Sequence, residues 1–218
     1  MPLFEAARLH MIESQLRPNR VIEERLLDAV MRTRRELFVP EALRSIAYAD
    51  ADLPLGDGRF LMNPMVSGKL LQAVAPERKD TALVVGAGVG YEAAVLAQLV
   101  RKVIAVEENE ALARIGRSAL VDHHIGSVTY VESAARAGCR QNAPYDVILF
   151  GGAVEEIPSE ITDQLGERGR LAVVLRPQGG IGRATLITGT GGSLARRVIF
   201  DAGAPLLPGF VARPEFVF

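Results

Sequence analysis

The chain has 218 residues, and its 25 Lys and Arg against 26 Asp and Glu give a formal net charge of −1. With 49% hydrophobic and 23% charged residues it lies far from the compositions that stay disordered, and the near-neutral balance lacks the basic excess of a dedicated nucleic-acid binder. No apolar run reaches the ~18–20 residues of a membrane span, one cysteine makes no internal disulfide, and three histidines without short-spaced partners offer no zinc site.

The N-terminal stretch carries Glu5, Arg8, His10 and Glu13, which interrupt any leader-peptide apolar core, so a cytoplasmic location is expected. Apolar residues recur at helical spacing over 5–17 and 20–32. In the second stretch Val21, Ile22, Leu26, Leu27, Val30 and Met31 form one stripe, opposite Glu23, Glu24, Arg25 and Asp28. Arg17-Pro18-Asn19 separates the two, because proline disfavours helix in the residue before it. The basic run Arg32-Thr33-Arg34-Arg35 reads as a solvated face or a salt-bridge set. Phe38-Val39-Pro40 closes that piece, and a short helix restarts at Pro40-Glu41 and runs to about residue 46. Residues 47–64 hold Gly and Pro turn signals with little periodicity and read as a long ordered loop, a length uncommon unless it binds or covers something. A helix over 66–74 follows.

From residue 82 the rhythm changes. Short apolar runs at 82–85, 103–106, 128–131, 147–150 and 171–175 alternate with helical stretches at 91–100, 110–121 and 159–165. Strands alternating with helices predict a doubly wound parallel α/β sheet, and fully apolar strands fit burial on both faces. Two more strands, 184–188 and 196–200, flank Gly189-Thr190-Gly191-Gly192, a hairpin connection. The division expected is a helical cap with a substrate loop over 1–80 and a nucleoside-binding sheet domain over 81–218, forming one compact unit.

Val85-Gly86-Ala87-Gly88-Val89-Gly90 lies between the first of these strands and its helix, where the chain must turn sharply and let a ligand approach the backbone. Glu107 follows the next strand, where a carboxylate accepts hydrogen bonds from two ribose hydroxyls. Together they point to an adenosine-nucleoside site. The nicotinamide fingerprint Gly-x-Gly-x-x-Gly would place glycine where Tyr91 stands. S-adenosyl-L-methionine, which has no pyrophosphate, tolerates the shorter spacing, and the terminal hairpin suits a seven-stranded Rossmann-like methyltransferase sheet whose last strand inserts antiparallel. This reading requires open space beside the glycine turn.

Several segments then resemble, in order, the protein-L-isoaspartate O-methyltransferase family: Met11-Ile12-Glu13-Ser14-Gln15-Leu16-Arg17, Arg35-Glu36-Leu37-Phe38-Val39-Pro40 with Ala47-Tyr48-Ala49-Asp50, Leu53-Pro54-Leu55-Gly56-Asp57-Gly58, the glycine turn continuing through Tyr91-Glu92-Ala93-Ala94, Ala143-Pro144-Tyr145-Asp146-Val147-Ile148, and Gly169-Arg170-Leu171. The resemblance implies methylation of the α-carboxylate of L-isoaspartyl residues in damaged proteins or peptides, by a monomer or homodimer that uses S-adenosyl-L-methionine and releases S-adenosyl-L-homocysteine. It assigns cofactor contacts to Gly86, Ala87, Gly88, Gly90, Tyr91, Glu107, Ser133, Ala134 and Gly151, and catalytic substrate-loop positions to Arg59, Met62 and Asn63.

The departures are local. Where the family has a Gln-Thr-Ile-Ser-Gln-Pro-like run this chain has Arg59-Phe60-Leu61-Met62-Asn63-Pro64, so the family's serine falls on Met62. The acid before the first glycine falls on Val84, the Gly-Asp-Gly that holds the adenine becomes Glu132-Ser133-Ala134, and a glutamine near the terminal hairpin falls on Gly182. Donors that could fix an incoming carboxylate are Arg59, Asn63, Ser67 and backbone N–H groups of residues 58–64. Met62 cannot donate, so weak or redirected activity is expected. A catalytically silent cofactor-binding homologue with a regulatory role is the competing reading. Elsewhere, His123-His124 read as helix-end capping or surface positions, Cys139 as an inert thiol, and Phe210, Phe216 and Phe218 as an apolar tail that docks on the body or on another subunit.

Overall fold

A computed structural model describes residues 2–211. Among the described residues nine strands form two sheets: β1 (Leu53–Gly56) and β2 (Arg59–Leu61) make a small hairpin, and β3 (Thr81–Val85), β4 (Lys102–Val106), β5 (Val128–Val131), β6 (Tyr145–Val154), β7 (Leu165–Leu175), β8 (Arg183–Thr190) and β9 (Ser193–Asp201) make the central sheet, in the order β5-β4-β3-β6-β7-β8-β9. The first five in that order are parallel, and β7–β8 and β8–β9 are antiparallel. Alternation along each strand divides the core in two. Val84, Ala105 and Leu149 point to the face that the N-terminal cap covers, whereas Val85, Val106 and Phe150 point to the other. The doubly wound expectation therefore holds. The last strand pairs antiparallel with its neighbour, but it lies at the sheet edge and does not insert between the two before it. The reason is the short turn through Gly191 (φ 55) and Gly192 (φ 80), which joins adjacent strands and is too short for a crossover.

The cap comprises α1 (Pro2–Met11), α2 (Glu24–Arg32) and α3 (Pro64–Ala73), followed in the sheet domain by α4 (Tyr91–Leu96), α5 (Glu110–Asp122) and α6 (Ser159–Thr162). The predicted helix 5–17 runs on from α1 as a wider turn over Ile12–Leu16 and a tighter one over Arg17–Asn19, and stops at Arg20, which is left-handed (φ 65). Pro18 sits in the first turn of that tight segment, where its missing N–H does no harm. Helices expected over 91–100 and 159–165 are shorter than expected, while β6 and β7 extend beyond their apolar cores. The 47–64 segment contains the β1–β2 hairpin, with Leu53 opposite Leu61 and Gly56 opposite Arg59. Asp57 (φ 49) and Gly58 (φ 68) occupy its turn, and the Asp-Gly pair is the signal that marks such a hairpin.

The basic run meets its expectation at Arg32 but not at Arg35. Arg32 stays on the surface near Asp28, but Arg35 is fully buried. Its Nε donates to the Ala47 carbonyl at 2.8 Å, its Nη2 donates to the Met62 carbonyl at 2.6 Å, and its guanidinium stacks 4.5 Å from the Tyr91 ring centre. Arg35 thus fastens both ends of the 47–62 segment to α4.

His123 likewise joins the cap to the sheet domain. Its Nε2 accepts the Arg34 N–H at 2.8 Å, its Nδ1 lies 2.6 Å from the Ala119 carbonyl, and Phe38 stacks on its ring. Nε2 can accept only when the imidazole is neutral. It is therefore not the charged helix cap that its position suggests, and burial lowers its pKa from 6.5. The unfolded chain then binds more protons than the folded one below that value, so this contribution is complete above pH ~6.5 and fades as pH falls through the depressed folded pKa. The melting temperature of the wild type should drop on acidification through this window more than that of His123→Gln, and parallel pH curves for the two proteins would contradict the assignment.

The C-terminal segment crosses the sheet's ligand-facing end. Ala153 N–H donates to Pro205 O and Leu207 N–H donates back to Ala153 O, both at 2.8 Å, and Phe210, fully buried, meets Phe150 edge-on. The expected docking of the tail on the body is met at Phe210. Phe216 and Phe218 lie outside the described residues. No helix among the described residues is long and apolar enough to cross a membrane.

Candidate cofactor site

The carboxyl ends of β3, β4 and β6 converge where ligands of open α/β sheets bind. After Val85 the chain turns through Gly86 (φ 63), Gly88 (φ 56) and Gly90 (φ 79), all in the left-handed region that side chains rarely adopt. Ala87 N–H donates to Val106 O at 2.9 Å, which ties the turn to β4. Gly151 of β6 packs so closely on it that a Cβ there would lie 2.2 Å from Gly86 O. Gly86, Gly88, Gly151 and Glu107 thus come together as the sequence places them.

Glu107 is wholly buried, and its carboxylate is fully engaged from within the chain. Oε1 accepts from Arg59 Nη1 at 2.6 Å and Asn109 N at 2.9 Å; Oε2 accepts from Arg59 Nη2 at 2.7 Å and Gly88 N at 2.6 Å. Arg59 Nη2 also donates to Gly86 O at 2.9 Å. The two-pronged pairing is the geometry that guanidinium and carboxylate favour. Only 6% of Arg59 is exposed.

Apolar groups complete the cover. A Cβ on Gly86 would meet Leu207 Cδ1 at 3.0 Å, and one on Gly152 would meet Leu207 Cγ at 2.8 Å. On the other side Tyr130 leans on the third glycine and places its hydroxyl 3.3 Å from Gly88 O. The residues of the glycine turn, 86–90, are all buried. Open space lies beyond the tip of β5, as a cavity of about 380 Å³ lined by residues that include Val131, Ser133, Gly138, Cys139, Arg140 and Glu160. Ser133 lines this cavity, whereas Ala134 faces solvent and Glu132 pairs with Arg117 at the surface. Cys139 is buried, with its thiol on Asn142.

The remaining expected site residues lie elsewhere. Tyr91 is buried in the cap-side core beneath Arg35 and edge-on to Phe38, away from the hollow. Met62 is 1% exposed, packed into the same core, where a flexible thioether fills space well. Asn63 caps α3, its Oδ1 accepting from Met65 N at 2.8 Å, while its Nδ2 donates to Asp50. Ser67 Oγ donates to the buried Glu92 at 3.0 Å, whose carboxyl is pushed up chiefly by burial. Asn63 Nδ2 and Ser67 Oγ thus already donate to carboxylates of the chain itself. Asn109 was legible as a helix cap before residue 110, but no local pattern announces Leu207.

A seven-stranded sheet with a glycine turn after the first of its strands in the chain, an acid at the tip of the next, and an antiparallel terminal pair is the architecture of the S-adenosylmethionine-dependent methyltransferases. The family model described as Protein-L-isoaspartate(D-aspartate) O-methyltransferase (PCMT) matches residues 7–186, and the chain belongs to that family of methyltransferases. Among its relatives, the protein-L-isoaspartate O-methyltransferase of Methylorubrum populi is 37% identical over 176 residues, covering 81% of this chain and 82% of the relative. That of Bordetella petrii is 37% identical over 196 residues, covering 88% and 71%. A solved putative protein-L-isoaspartate O-methyltransferase from Plasmodium falciparum, described in complex with S-adenosyl-L-homocysteine, shares the fold at a TM-score of 0.76 with 16% identity, over 94% of this chain and 97% of that one.

The family's cofactor does not fit the site as it is folded here. The ribose acid has all its hydrogen bonds filled by the chain itself, and the space beside the glycine turn that a nucleoside needs is taken by Arg59 and Leu207. The sequence-based expectation of an open hollow is therefore corrected, because a cation from the substrate loop satisfies the same carboxylate.

Proposed function

We propose that the chain is a carboxyl methyltransferase acting on L-isoaspartyl residues of proteins or peptides, with S-adenosylmethionine bound between the glycine turn and Glu107 once Arg59 has withdrawn. The observation that carries this is the single hydrogen-bonded unit formed by Glu107 and the turn, Gly88 N–H on its Oε2 at 2.6 Å. Family membership and the S-adenosyl-L-homocysteine described with the Plasmodium structure support it. A carboxylate acceptor has a pKa near ~4 and is already ionised at pH 7, so no proton has to be moved and no general base is needed. The chain's task is orientation, an effect worth roughly 7–11 kcal/mol in well-aligned reactions. We place the protein in the cytoplasm, as a monomer or homodimer.

A second reading, slow or redirected transfer, is favoured by the burial of Met62 and the prior engagement of Arg59, Asn63 and Ser67. One missing donor at a reacting oxygen costs about a hundredfold in rate. Methyl-ester formation on a synthetic isoaspartyl peptide should therefore be measurable but roughly a hundredfold below a family member with a serine at that position. Equal rates would remove the second reading, and no ester at saturating cofactor would remove the first for this acceptor.

A further inference from the structure

We propose that Arg59 is a built-in competitor for the cofactor, a latch that occupies the ribose-binding carboxylate of Glu107 until S-adenosylmethionine displaces it. The inference rests on the cofactor reading above and adds a residue to it. Three contacts carry it: the guanidinium takes both oxygens of Glu107, at 2.6 and 2.7 Å, and the Gly86 carbonyl at 2.9 Å. A ligand bringing two ribose hydroxyls to Glu107 would need those same acceptors. The stand-in is cationic, so the charge of Glu107 favours the closed form.

The latch is mounted on an element that can move without unfolding the core. Arg59 opens β2 next to the two-residue turn Asp57-Gly58, whereas the far end of the hairpin is anchored by buried Leu53 and Leu61. The turn reaches the site through an Asn109–Asp57 hydrogen bond of 3.1 Å, and a Cβ on Gly58 would lie 3.7 Å from Pro208 Cγ. The closed state also retains an unsatisfied group: Arg59 Nε is buried without a hydrogen-bond partner among the described residues. An orphaned buried donor is a penalty that opening would relieve. The cavity at Ser133 stays open beside the closed part, leaving a foothold for the base end of the ligand before the latch lifts.

The test is S-adenosylhomocysteine binding by isothermal titration to the wild type, Arg59→Gln and Arg59→Lys, each first checked for cooperative melting. Glutamine keeps a donor for Glu107 without the charge or the fork, and lysine keeps the charge without the fork. The latch predicts that Arg59→Gln binds roughly tenfold tighter than the wild type or better, with Arg59→Lys between them. Equal, measurable affinity in all three would overturn the latch and leave the cofactor site standing. No binding by any folded variant at millimolar ligand would overturn both the latch and the cofactor reading. The lysine variant keeps the test decisive if the glutamine variant fails to fold, since it too must bind more tightly than the wild type.

Discussion

Glu107→Ala should lower the unfolding free energy by about 3–5 kcal/mol, because it strands the Arg59 charge in a site that is 6% exposed. For a chain of this size that corresponds to a fall in melting temperature of roughly 6–20 °C. The Gly88 and Asn109 N–H groups lose their acceptor at the same time, so the glycine turn and the start of α5 loosen together. The double variant Arg59→Met, Glu107→Leu separates charge from packing. Replacing a buried ion pair by apolar groups of similar volume is often neutral or stabilising, so the double variant should recover most of the loss in a urea titration. A Glu107→Ala protein within ~1 kcal/mol of wild type would show that the pair is not buried as described. A double variant no more stable than the single one would assign the loss to the turn and not to the unpaired charge.

Arg35→Met is the second large effect, expected at about 3 kcal/mol or more. The Ala47 and Met62 carbonyls lose their donors, the Tyr91 ring loses the stacked cation, and buried Glu92 loses the cation that opposes its desolvation. The damage should be uneven. Amide exchange over 47–62 should rise first, because this segment is tied down by Arg35 at both ends, while exchange in β3 and β4 follows global stability. Arg35→Lys should recover only part, since an ammonium cannot reach two carbonyls in a fork. Uniform exchange acceleration across the chain would contradict the strapping role.

Legibility differed sharply between the two halves of the molecule. The parallel strands were plain because each is a short apolar run followed by a helical period, and Glu107 and the glycines were plain because their spacing encodes a turn and a strand tip. In the 47–64 segment, alternation was too short to read as strands, although Asp57-Gly58 marked the hairpin. Arg35 illustrates the deeper difficulty. In a run with Arg32 and Arg34 a buried arginine has no local signature, and only the carbonyls of residues distant in sequence make its burial tolerable. Met62 and Asn63 were assigned to the substrate by alignment with a motif, yet one fills a core position and the other caps a helix.

What the residues alone determined is a sheet of parallel strands, the glycine turn and the acid beside it, because strand burial, left-handed backbone and strand-end position are written in nearest-neighbour patterns. Only the tertiary structure decided whether that acid faces a ligand or the chain itself. Arg59 is separated from Glu107 by 48 positions and Leu207 comes from the far end of the chain. Whether a cation and an apolar side chain occupy a hollow depends on how separate segments pack over the same sheet edge, which no local pattern specifies.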